Sequence, residues 1–413
     1  MNSLVVVPRI VNRVGEYYQF PLGIAYISSA LREAGFPVHA VNLNHVDGPV
    51  RNILADEIRR HRAEVVLTGG LTGQYGAIRA VLEATKAVSD GVITVVGGGI
   101  ITSAPEHGME ALELADYGVI GEGEIITSEL CRALETSRDV REVPGIVYRD
   151  GKGFALSRGQ VAPIDIERLP LPDYEGLGLD ELLATVPNIV GMSDEGTVSI
   201  ITSRSCPFRC TFCFHSSGQS YRERSLDSVF AEIDRLVHTY NVRYLAIQDE
   251  LFGRNFERVR AFCKRIEPYG LKWWAQFRVT DVTHELVAMV KAAGCAAMGF
   301  GIESGDNRIL KSMKKGTTVE ANERALEIVY RAGLGIQGAV IMGDEAETVE
   351  TARNTIDWWK RLAHYELQLS MIVTYPGTEL YQNARARGLI PDPVQYIRDG
   401  CPLVKQANMS DEE

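Results

Sequence analysis

The sequence lacks several features that define other classes of protein. It has no apolar run of membrane-spanning length, and the N-terminal MNSLVVVP has no basic region before its short apolar run, so neither a membrane span nor a signal peptide is predicted. Basic residues are too few for a nucleic-acid groove, because the net charge is -11 and phosphate binding needs a concentrated basic surface. We therefore expect a cytoplasmic protein that acts on a small molecule or a peptide.

Common catalytic signatures are also missing. No G-x-G-x-x-G follows the first predicted strand and no G-x-x-x-x-G-K-[ST] occurs, so neither a dinucleotide nor a P-loop nucleotide is indicated. No H-E-x-x-H or G-x-S-x-G is present either, which excludes the common hydrolase signatures. The seven cysteines are odd in number and three are bunched together, which argues against a disulfide framework and for a reducing compartment.

The three bunched cysteines are the strongest chemical signal in the sequence. Cys206, Cys210 and Cys213 follow the spacing C-x3-C-x2-C. Three thiolates this close can each bind one iron of a [4Fe–4S] cube and leave the fourth iron open for a small molecule. A structural zinc site is the alternative, with His215 as its fourth ligand. The spacing is not a usual zinc spacing, so it favours the cluster.

The first third of the chain predicts a doubly wound α/β sheet, because short β-branched runs alternate with helical patterns. Predicted strands cover 4–7, 37–42, 64–68, 93–96 and 117–120. Predicted helices cover 22–33, 50–62, 75–88, 104–114 and 122–134. Ligands bind at the carboxyl ends of the strands in such sheets. The loops there include two glycine-rich turns, at 68–73 and at 97–99, and glycine lets the backbone approach a bulky ligand closely.

From residue 197 the strand and helix rhythm resumes six times. Predicted strands cover 198–202, 243–248, 272–277, 297–302, 335–341 and 368–374. Predicted helices cover 226–240, 256–266, 284–293, 319–332, 348–362 and 379–387. Ser225, Thr283 and Thr318 are expected N-caps. Six units predict an open, partial (β/α)6 barrel, and its first strand leads directly into the cysteine loop, where barrel enzymes place their chemistry.

The N-terminal part resembles the cobalamin-binding domain of cobalamin-dependent radical S-adenosylmethionine (SAM) enzymes, which has a flavodoxin-like (Rossmann-type) fold. The matching segments are PLGI at 21–24, VGGG at 96–99 and DYGVIGEGE at 116–124. No D-x-H-x-x-G follows the first strand. The resemblance therefore implies cobalamin bound in the base-off form without a histidine ligand, with Gln74 or Tyr75 nearest the lower face of the cobalt. Members often carry a His after the Gly-Gly turn, where this sequence has Ile100.

The resemblance also implies a set of cobalamin contacts. These are Thr68, Gly69, Thr72, Gln74, Tyr75, Gly97, Gly98, Gly99, Gly121 and Glu122. The expected organisation is a cobalamin-binding domain at 1–140, a hairpin and proline-rich linker at 141–190, a barrel at 191–390 and a tail at 391–413.

Residues 198–390 resemble the radical SAM superfamily, on the cysteine motif with aromatic Phe212 before its last cysteine and on four strand-end segments. The resemblance implies that Cys206, Cys210 and Cys213 hold the cluster, that SAM chelates the open iron, and that an external one-electron reductant starts radical formation. The expected SAM contacts are Phe212, Asp249 or Glu250, Arg278, Glu303 and Ser304. The fifth strand end, GDEAET at 343–348, departs from the family's usual G-x-P-G-E-T.

Together the two resemblances imply an enzyme that methylates an unactivated carbon through a 5'-deoxyadenosyl radical and methylcobalamin. A non-methylating rearrangement, oxidation or cyclisation is the alternative within the group. A zinc-stabilised binding module is the alternative of another class. An RNA methylthiotransferase is disfavoured by the acidic charge and by the lack of a second cluster motif. Cys131, Cys263 and Cys295 are expected to be buried apolar residues.

Overall fold

The structure, a computed structural model, describes residues 1–151, 153–159, 161–185, 196–407 and 409. It forms two compact units. The first comprises Met1–Gly196, Ser216–Gly218 and Asp392–Pro402, and the second Thr197–His215, Gln219–Pro391 and Leu403–Glu413. The expected boundary between the linker and the barrel, at 190/191, lies outside the described residues. The last four residues of the expected tail lie outside them as well.

The β-strands alternate with helices over most of the chain. The strands are β1 Ser3–Val7, β2 Val38–Asn42, β3 Val65–Gly69, β4 Ile93–Gly97, β5 Tyr117–Val119, β6 Ile146–Asp150, β7 Gly153–Leu156, β8 Thr197–Ile200, β9 Ser203–Arg204, β10 Arg222–Glu223, β11 Tyr244–Ile247, β12 Lys272–Gln276, β13 Cys295–Glu303, β14 Gly335–Met342 and β15 Gln368–Met371.

The α-helices before residue 197 all belong to the first unit. They are α1 Leu22–Glu33, α2 Val50–His61, α3 Tyr75–Val88, α4 Gly99–Thr102, α5 Pro105–Ala111, α6 Gly123–Glu135 and α7 Leu179–Thr185. The helices that follow are α8 Leu226–Tyr240, α9 Phe256–Ile266, α10 His284–Ala292, α11 Asn307–Ser312, α12 Val319–Arg331, α13 Val349–Arg361, α14 Glu379–Ala386 and α15 Pro393–Arg398.

The sheet of the first unit has the strand order β2-β1-β3-β4-β5-β6-β7. Strands β1 to β5 pair in parallel, whereas β6 and β7 are antiparallel additions at one edge. The predicted hairpin thus extends the sheet. Every residue of β1 and β3 is buried, as expected for parallel strands covered on both faces. Helices α1 and α6 bury Leu31 and Leu130 against one face, and α2 and α3 bury Leu54 and Val81 against the other.

Two details of the first unit differ from the expectation. The helix predicted at 104–114 is the shorter α5, which begins with Pro105 at its first position, where the missing N–H of proline costs nothing. The short helix α4 before it was not predicted. The segment expected to be a tail begins with α15, whose Ile397 is fully buried in the core beside α5. The far end of the chain therefore completes the first core.

The sheet of the second unit has six parallel strands in the order β15-β14-β13-β12-β11-β8, with β8 and β15 at its edges. This order confirms the predicted partial barrel. Ser225, Thr283 and Thr318 cap their helices by accepting hydrogen bonds from backbone amides. Within the described parts of both units, no helix is long and apolar enough to cross a membrane.

Candidate active site

The cysteine loop begins at the carboxyl end of β8, and the antiparallel pair β9 and β10 holds its two ends together. Its middle is fixed by two backbone hydrogen bonds of Thr211. The Thr211 amide donates to the carbonyl of Met313 at 3.1 Å, and the Thr211 carbonyl accepts from the amide of Leu380 at 2.9 Å. The loop is thus attached to the end of α11 and the start of α14, and its position does not depend on a bound metal alone.

The three thiols are free and partly accessible. The amide of Cys213 donates to the carbonyl of Cys210 at 3.1 Å, so these two residues form one tight turn. A hydrogen bond with the Cys213 thiol lowers the pKa of Cys210 to about 6. The same bond raises the pKa of Cys213, which keeps the shared proton. One sulfur of the loop is therefore prepared as a thiolate, the form that binds iron.

Other groups of the loop fit a bound cluster. The Thr211 hydroxyl and the Nε2 of His215 are buried and have no hydrogen-bond partner within the described residues. Unsatisfied buried polar atoms are uncommon in folded proteins. Ser205, immediately before the first cysteine, has φ 72, a left-handed conformation that a residue with a side chain rarely adopts. The three thiols, the orphaned polar atoms and the local strain fit a cluster-binding loop.

The zinc alternative gains no support from His215. Its Nδ1 lies 3.4 Å from Oε2 of Glu250, and interaction with that carboxylate raises the pKa of His215. Within the described ranges, no group of three or more His, Cys, Asp and Glu side chains is arranged to hold one metal ion. Cluster ligands each bind a different iron, so their sulfurs need not converge on one point.

The two acidic residues after β11 differ in environment. Asp249 is buried, and its oxygens accept hydrogen bonds from the amides of Thr202 and Ser203 at 2.6 and 3.0 Å and from their hydroxyls at 2.5 and 2.8 Å. Burial raises the pKa of Asp249. The side chain of Glu250 is 36% exposed. Asp249 thus fixes the strand end before the cysteine loop, and Glu250 is the carboxylate of the pair that a ligand can reach.

Arg278, after β12, is held in one orientation. Its guanidinium carbon lies 3.5 Å from the centroid of the Phe208 ring, within the cysteine loop. It also donates to the carbonyls of Lys315 and Gly316 at 3.1 and 3.3 Å. A stacked guanidinium is pre-organised and keeps further donors for a carboxylate. The structure therefore brings Arg278 to the cysteine loop, and its contact with SAM stays a prediction.

Glu303, at the end of β13, is buried and forms an ion pair with Lys315. Its Oε1 lies 2.7 Å from the Lys315 Nζ. Glu303 has φ 65, a strained conformation for a residue with a side chain. Lys315 also lies 6.0 Å from the ring centroid of Phe212, and its charge further lowers the pKa of Cys210. Sequence reasoning missed Lys315, because no pattern distinguishes it from the neighbouring Lys314.

Ser304 is placed differently from its neighbour. It is fully buried, and its hydroxyl lies 2.9 Å from that of Thr355 and accepts from the amide of Asp306 at 3.1 Å. These contacts tie β13 to α13 and engage the hydroxyl within the protein. Ser304 thus exposes no atom that could make the predicted contact with SAM, whereas Glu303 lies beside the cysteine loop.

The altered loop after β14 contains two buried acids. Asp344 accepts from the hydroxyl of Ser312 at 2.6 Å and from the amide of Ala346 at 2.9 Å. Glu347 accepts from the amide of Gly343 at 2.6 Å, and its Oε1 is buried without a partner among the described residues. Burial raises the pKa of Glu347. The two carboxyl groups maintain a tight turn where the family's usual sequence has Pro-Gly.

The cysteines outside the C-x3-C-x2-C motif are buried in the protein. Cys131, Cys263 and Cys295 are buried, which confirms the prediction, and Cys401 is buried as well. Burial raises the pKa of Cys131, Cys263 and Cys401 to about 12. These thiols are protonated at neutral pH and behave as small apolar side chains.

The glycine-rich loops of the first unit form a close backbone contact at the carboxyl edge of its sheet. A Cβ added to Gly69 would lie 2.5 Å from the carbonyl oxygen of Gly97, and one added to Gly98 would lie 2.8 Å from that of Gly70. Gly98 has φ 83, and Gly99 is buried at the start of α4. Side chains are excluded from this contact, so the two loops, here called the glycine cradle (Gly69, Gly70, Gly97 and Gly98), pack against each other through backbone alone. Glycine at such positions also lets a bulky ligand come close to the backbone.

The side chains predicted around the cradle are mostly engaged in the protein. Thr68 donates to the carbonyl of Val6 at 3.0 Å, and Thr72 is fully buried. The Gln74 side-chain oxygen accepts from the amide of Leu71 at 2.9 Å, and the Tyr75 hydroxyl donates to the carbonyl of Ala111 at 3.3 Å. Neither Gln74 nor Tyr75 offers a free oxygen to a metal. Leu71, three residues before Gln74, is 54% exposed.

The loop after β5 is organised by two further hydrogen bonds. Gly121, with φ 78, donates its amide to the hydroxyl of Thr102 at 2.9 Å. Glu122 is buried and accepts from the amide of Ile164 at 3.2 Å. Both residues thus shape the loop, and Glu122 also fastens the segment that follows the hairpin.

His45 follows β2 in the first unit. Its Nε2 contacts the Tyr18 hydroxyl, and its Nδ1 lies 2.9 Å from Oε2 of Glu181. Burial lowers the pKa of His45. Both ring nitrogens face protein groups, so His45 is not presented to a ligand.

Comparisons with known proteins agree with both halves of this description. Residues 8–131 match the B12 binding domain and residues 200–358 match the radical SAM superfamily. An uncharacterized methyltransferase of Pyrococcus horikoshii is 30% identical over 407 residues, covering 94% of this chain and 84% of that protein. The anaerobic magnesium-protoporphyrin IX monomethyl ester cyclase of Cereibacter sphaeroides is 27% identical over 400 residues, covering 91% of this chain and 62% of the cyclase.

A solved structure shares the fold. The radical SAM methyltransferase TsrM of Kitasatospora setae, with cobalamin and a [4Fe–4S] cluster bound, matches with a TM-score of 0.75 at 20% identity, covering 94% of this chain and 76% of that one. The chain belongs to the radical SAM enzymes that carry an N-terminal B12-binding domain. Within that family, relatives named as methyltransferases favour methyl transfer as its activity. The predicted fold class and the three cofactors that its domains use, a [4Fe–4S] cluster, SAM and cobalamin, are confirmed at this level.

Proposed function

We propose that the protein methylates an unactivated carbon of a small molecule or natural-product intermediate. The observation that carries this proposal is the occurrence, in one chain, of a three-thiol loop at the carboxyl edge of a six-stranded parallel sheet and a glycine cradle at the carboxyl edge of a B12-binding fold. When bound, the cluster with SAM supplies a radical that removes a hydrogen atom from carbon, and cobalamin supplies a methyl group.

The residues of the second unit would hold the cluster and SAM. Cys206, Cys210 and Cys213 would bind three irons. Arg278 would pair with the SAM carboxylate, because stacking on Phe208 fixes its guanidinium before the ligand arrives. Glu250, the accessible acid after β11, would accept hydrogen bonds from the SAM amino group. Glu303 would accept from the ribose hydroxyls. We retain Phe212 as a SAM contact and assign Asp249 and Ser304 to support of these groups.

The glycine cradle would hold cobalamin in its base-off form without a histidine ligand. The support is local: both nitrogens of His45 face protein groups, and the coordinating oxygens of Gln74 and Tyr75 are engaged in hydrogen bonds. Leu71, which is exposed in the same loop, would contact cobalamin without supplying a donor atom to its metal.

The remaining partners are a small-molecule substrate and an external one-electron reductant. Nucleic acid is not expected, because the net charge is -11. We place the protein in the cytoplasm, since its seven cysteines are all free and reduced thiols persist there.

Turnover with SAM carrying a deuterated methyl group tests the proposal. The reconstituted protein is incubated anaerobically with a reductant, cobalamin and a pool of small metabolites, and the products are analysed by mass spectrometry. We expect a product that contains the deuterated methyl group and is absent with the Cys206→Ala variant. Products that carry no added methyl group would instead establish the alternative, a radical cyclisation or rearrangement like that named for the cyclase relative.

A zinc-stabilised binding module is tested separately by iron and sulfide analysis with a visible spectrum. A colourless protein that holds zinc on intact thiols would eliminate the cluster and with it the proposed reaction.

A further inference from the structure

Lys315 and Glu303 form an ion pair whose presence is not explained by its contribution to the stability of the fold. The side chain of Lys315 is 20% exposed and that of Glu303 is 7% exposed, and Nζ and Oε1 are 2.7 Å apart. Removing two charges from water is expensive, and such pairs are often no more stabilising than apolar residues of the same size. The location of the pair is therefore more informative than its contribution to folding.

Lys315 is placed toward the cysteine loop. Its Nζ lies 6.0 Å from the centroid of Phe212, the residue between Cys210 and Cys213, and it interacts electrostatically with both thiols. The pair packs against Gly301, because a Cβ added to Gly301 would lie 2.2 Å from the Glu303 Oε1 and 2.5 Å from the Lys315 Nζ. Glycine at this position of β13 makes room for the pair.

Three other charged residues near the loop have different surroundings. Arg278 stacks on Phe208 and its guanidinium donates to backbone carbonyls. Glu250 is partly exposed and paired with His215. Lys314, the residue before Lys315, is 54% exposed and pairs with Glu379, itself 43% exposed. Water screens exposed charges strongly and buried charges weakly, so Lys315 acts on the thiols and Lys314 does not.

We propose that Lys315 is a positioning residue that raises the reduction potential of a cluster bound to Cys206, Cys210 and Cys213, with Glu303 moderating its charge. This inference rests on the proposed function, since it requires that the cluster binds. Reduction transfers one electron from the external reductant to the cluster and adds one negative charge. A nearby buried cation stabilises the more negative state, and hydrogen bonding and charge around the sulfurs are known to set such potentials.

The test is the midpoint potential of the reconstituted protein, measured without SAM by a mediated one-electron titration followed by electron paramagnetic resonance. Lys315→Met is compared with Lys314→Met, which removes the same charge one residue away. We expect the potential of Lys315→Met to shift to more negative values and that of Lys314→Met to match the wild type. Equal potentials for the two variants would overturn the inference.

Two further variants separate charge from shape. Lys315→Arg keeps the cation and is expected to retain a potential near that of the wild type. Glu303→Gln removes the moderating charge and is expected to shift the potential in the positive direction. If the Lys315→Met protein does not retain iron, the other two variants test the inference. A shift of the midpoint potential to more negative values in Lys315→Arg, or no shift to more positive values in Glu303→Gln, would contradict it. Absence of iron from the wild type would refute the proposed function itself.

Discussion

The side-chain oxygen of Gln74 lies 2.9 Å from the amide nitrogen of Leu71, and this contact holds the loop after β3 in a tight turn. The turn leaves Leu71 as an exposed large apolar side chain. It therefore makes the base-off assignment of cobalamin testable at a single residue.

Leu71→His is expected to introduce an axial nitrogen ligand. Electron paramagnetic resonance of bound cobalt(II) should show a nitrogen triplet on the cobalt lines in this variant and none in the wild type. Leu156→His is the matched control, because Leu156 is 53% exposed compared with 54% for Leu71 and lies on β7. A nitrogen triplet in the wild type, or none in a Leu71→His protein that retains cobalamin, would contradict the placement.

Alanine at Cys206, Cys210 or Cys213 is expected to abolish most iron binding, because two thiolates hold a [4Fe–4S] cluster poorly. Iron and sulfide per chain after anaerobic reconstitution are the measurement. Cys263→Ala is the control: this thiol is buried in α9, and its loss should cost about 1 kcal/mol of stability while iron content is unchanged. Equal iron losses in all four variants would argue against the motif as the ligand set.

Asp249→Asn is expected to destabilise the protein by about 2–4 kcal/mol. The carboxylate accepts four hydrogen bonds from Thr202 and Ser203, and an amide nitrogen placed against those donors would leave them unsatisfied. Unfolding in urea, followed by circular dichroism, measures the change.

Glu250→Gln is the complementary experiment, because the Glu250 side chain is exposed. We expect its free energy of unfolding to stay within about 0.5 kcal/mol of the wild type, while SAM binding, measured by calorimetry, weakens. If SAM binding is weakened in a well-folded Asp249→Asn protein and unchanged in Glu250→Gln, the roles of the two acids are reversed.

Glu347→Gln is expected to stabilise the protein at neutral pH. Burial raises the pKa of Glu347, so its contribution to stability is fully present below the unfolded pKa, about 4.3, and is lost as the pH rises through the higher folded value. The glutamine variant should therefore gain about 1 kcal/mol at pH 7, because a neutral amide replaces a buried charge, and nothing at pH 4.

Urea unfolding at several pH values measures this difference. Glu350→Gln, in the first turn of the helix α13 that follows Glu347 and 72% exposed, is the control and should change stability by less than about 0.5 kcal/mol at any pH. An advantage of Glu347→Gln that is independent of pH would show that the pKa of Glu347 is the same in the folded and the unfolded protein.

The sequence alone determined the order of the elements and the position of the cysteine loop. Helices such as α1, α3 and α8 begin and end where the periodicity and the caps predict, because amphipathic patterns and capping residues act over a few neighbouring positions. The cysteine spacing is equally local, so the cluster motif was readable without a structure.

The tertiary structure decided which side chains are available for chemistry. Asp249 and Glu250 are adjacent in sequence, as are Lys314 and Lys315, yet one member of each pair is buried and the other is exposed. It also placed Ile397 in the core of the first unit. Burial depends on segments distant in sequence that pack together, and no local pattern records which segments these are.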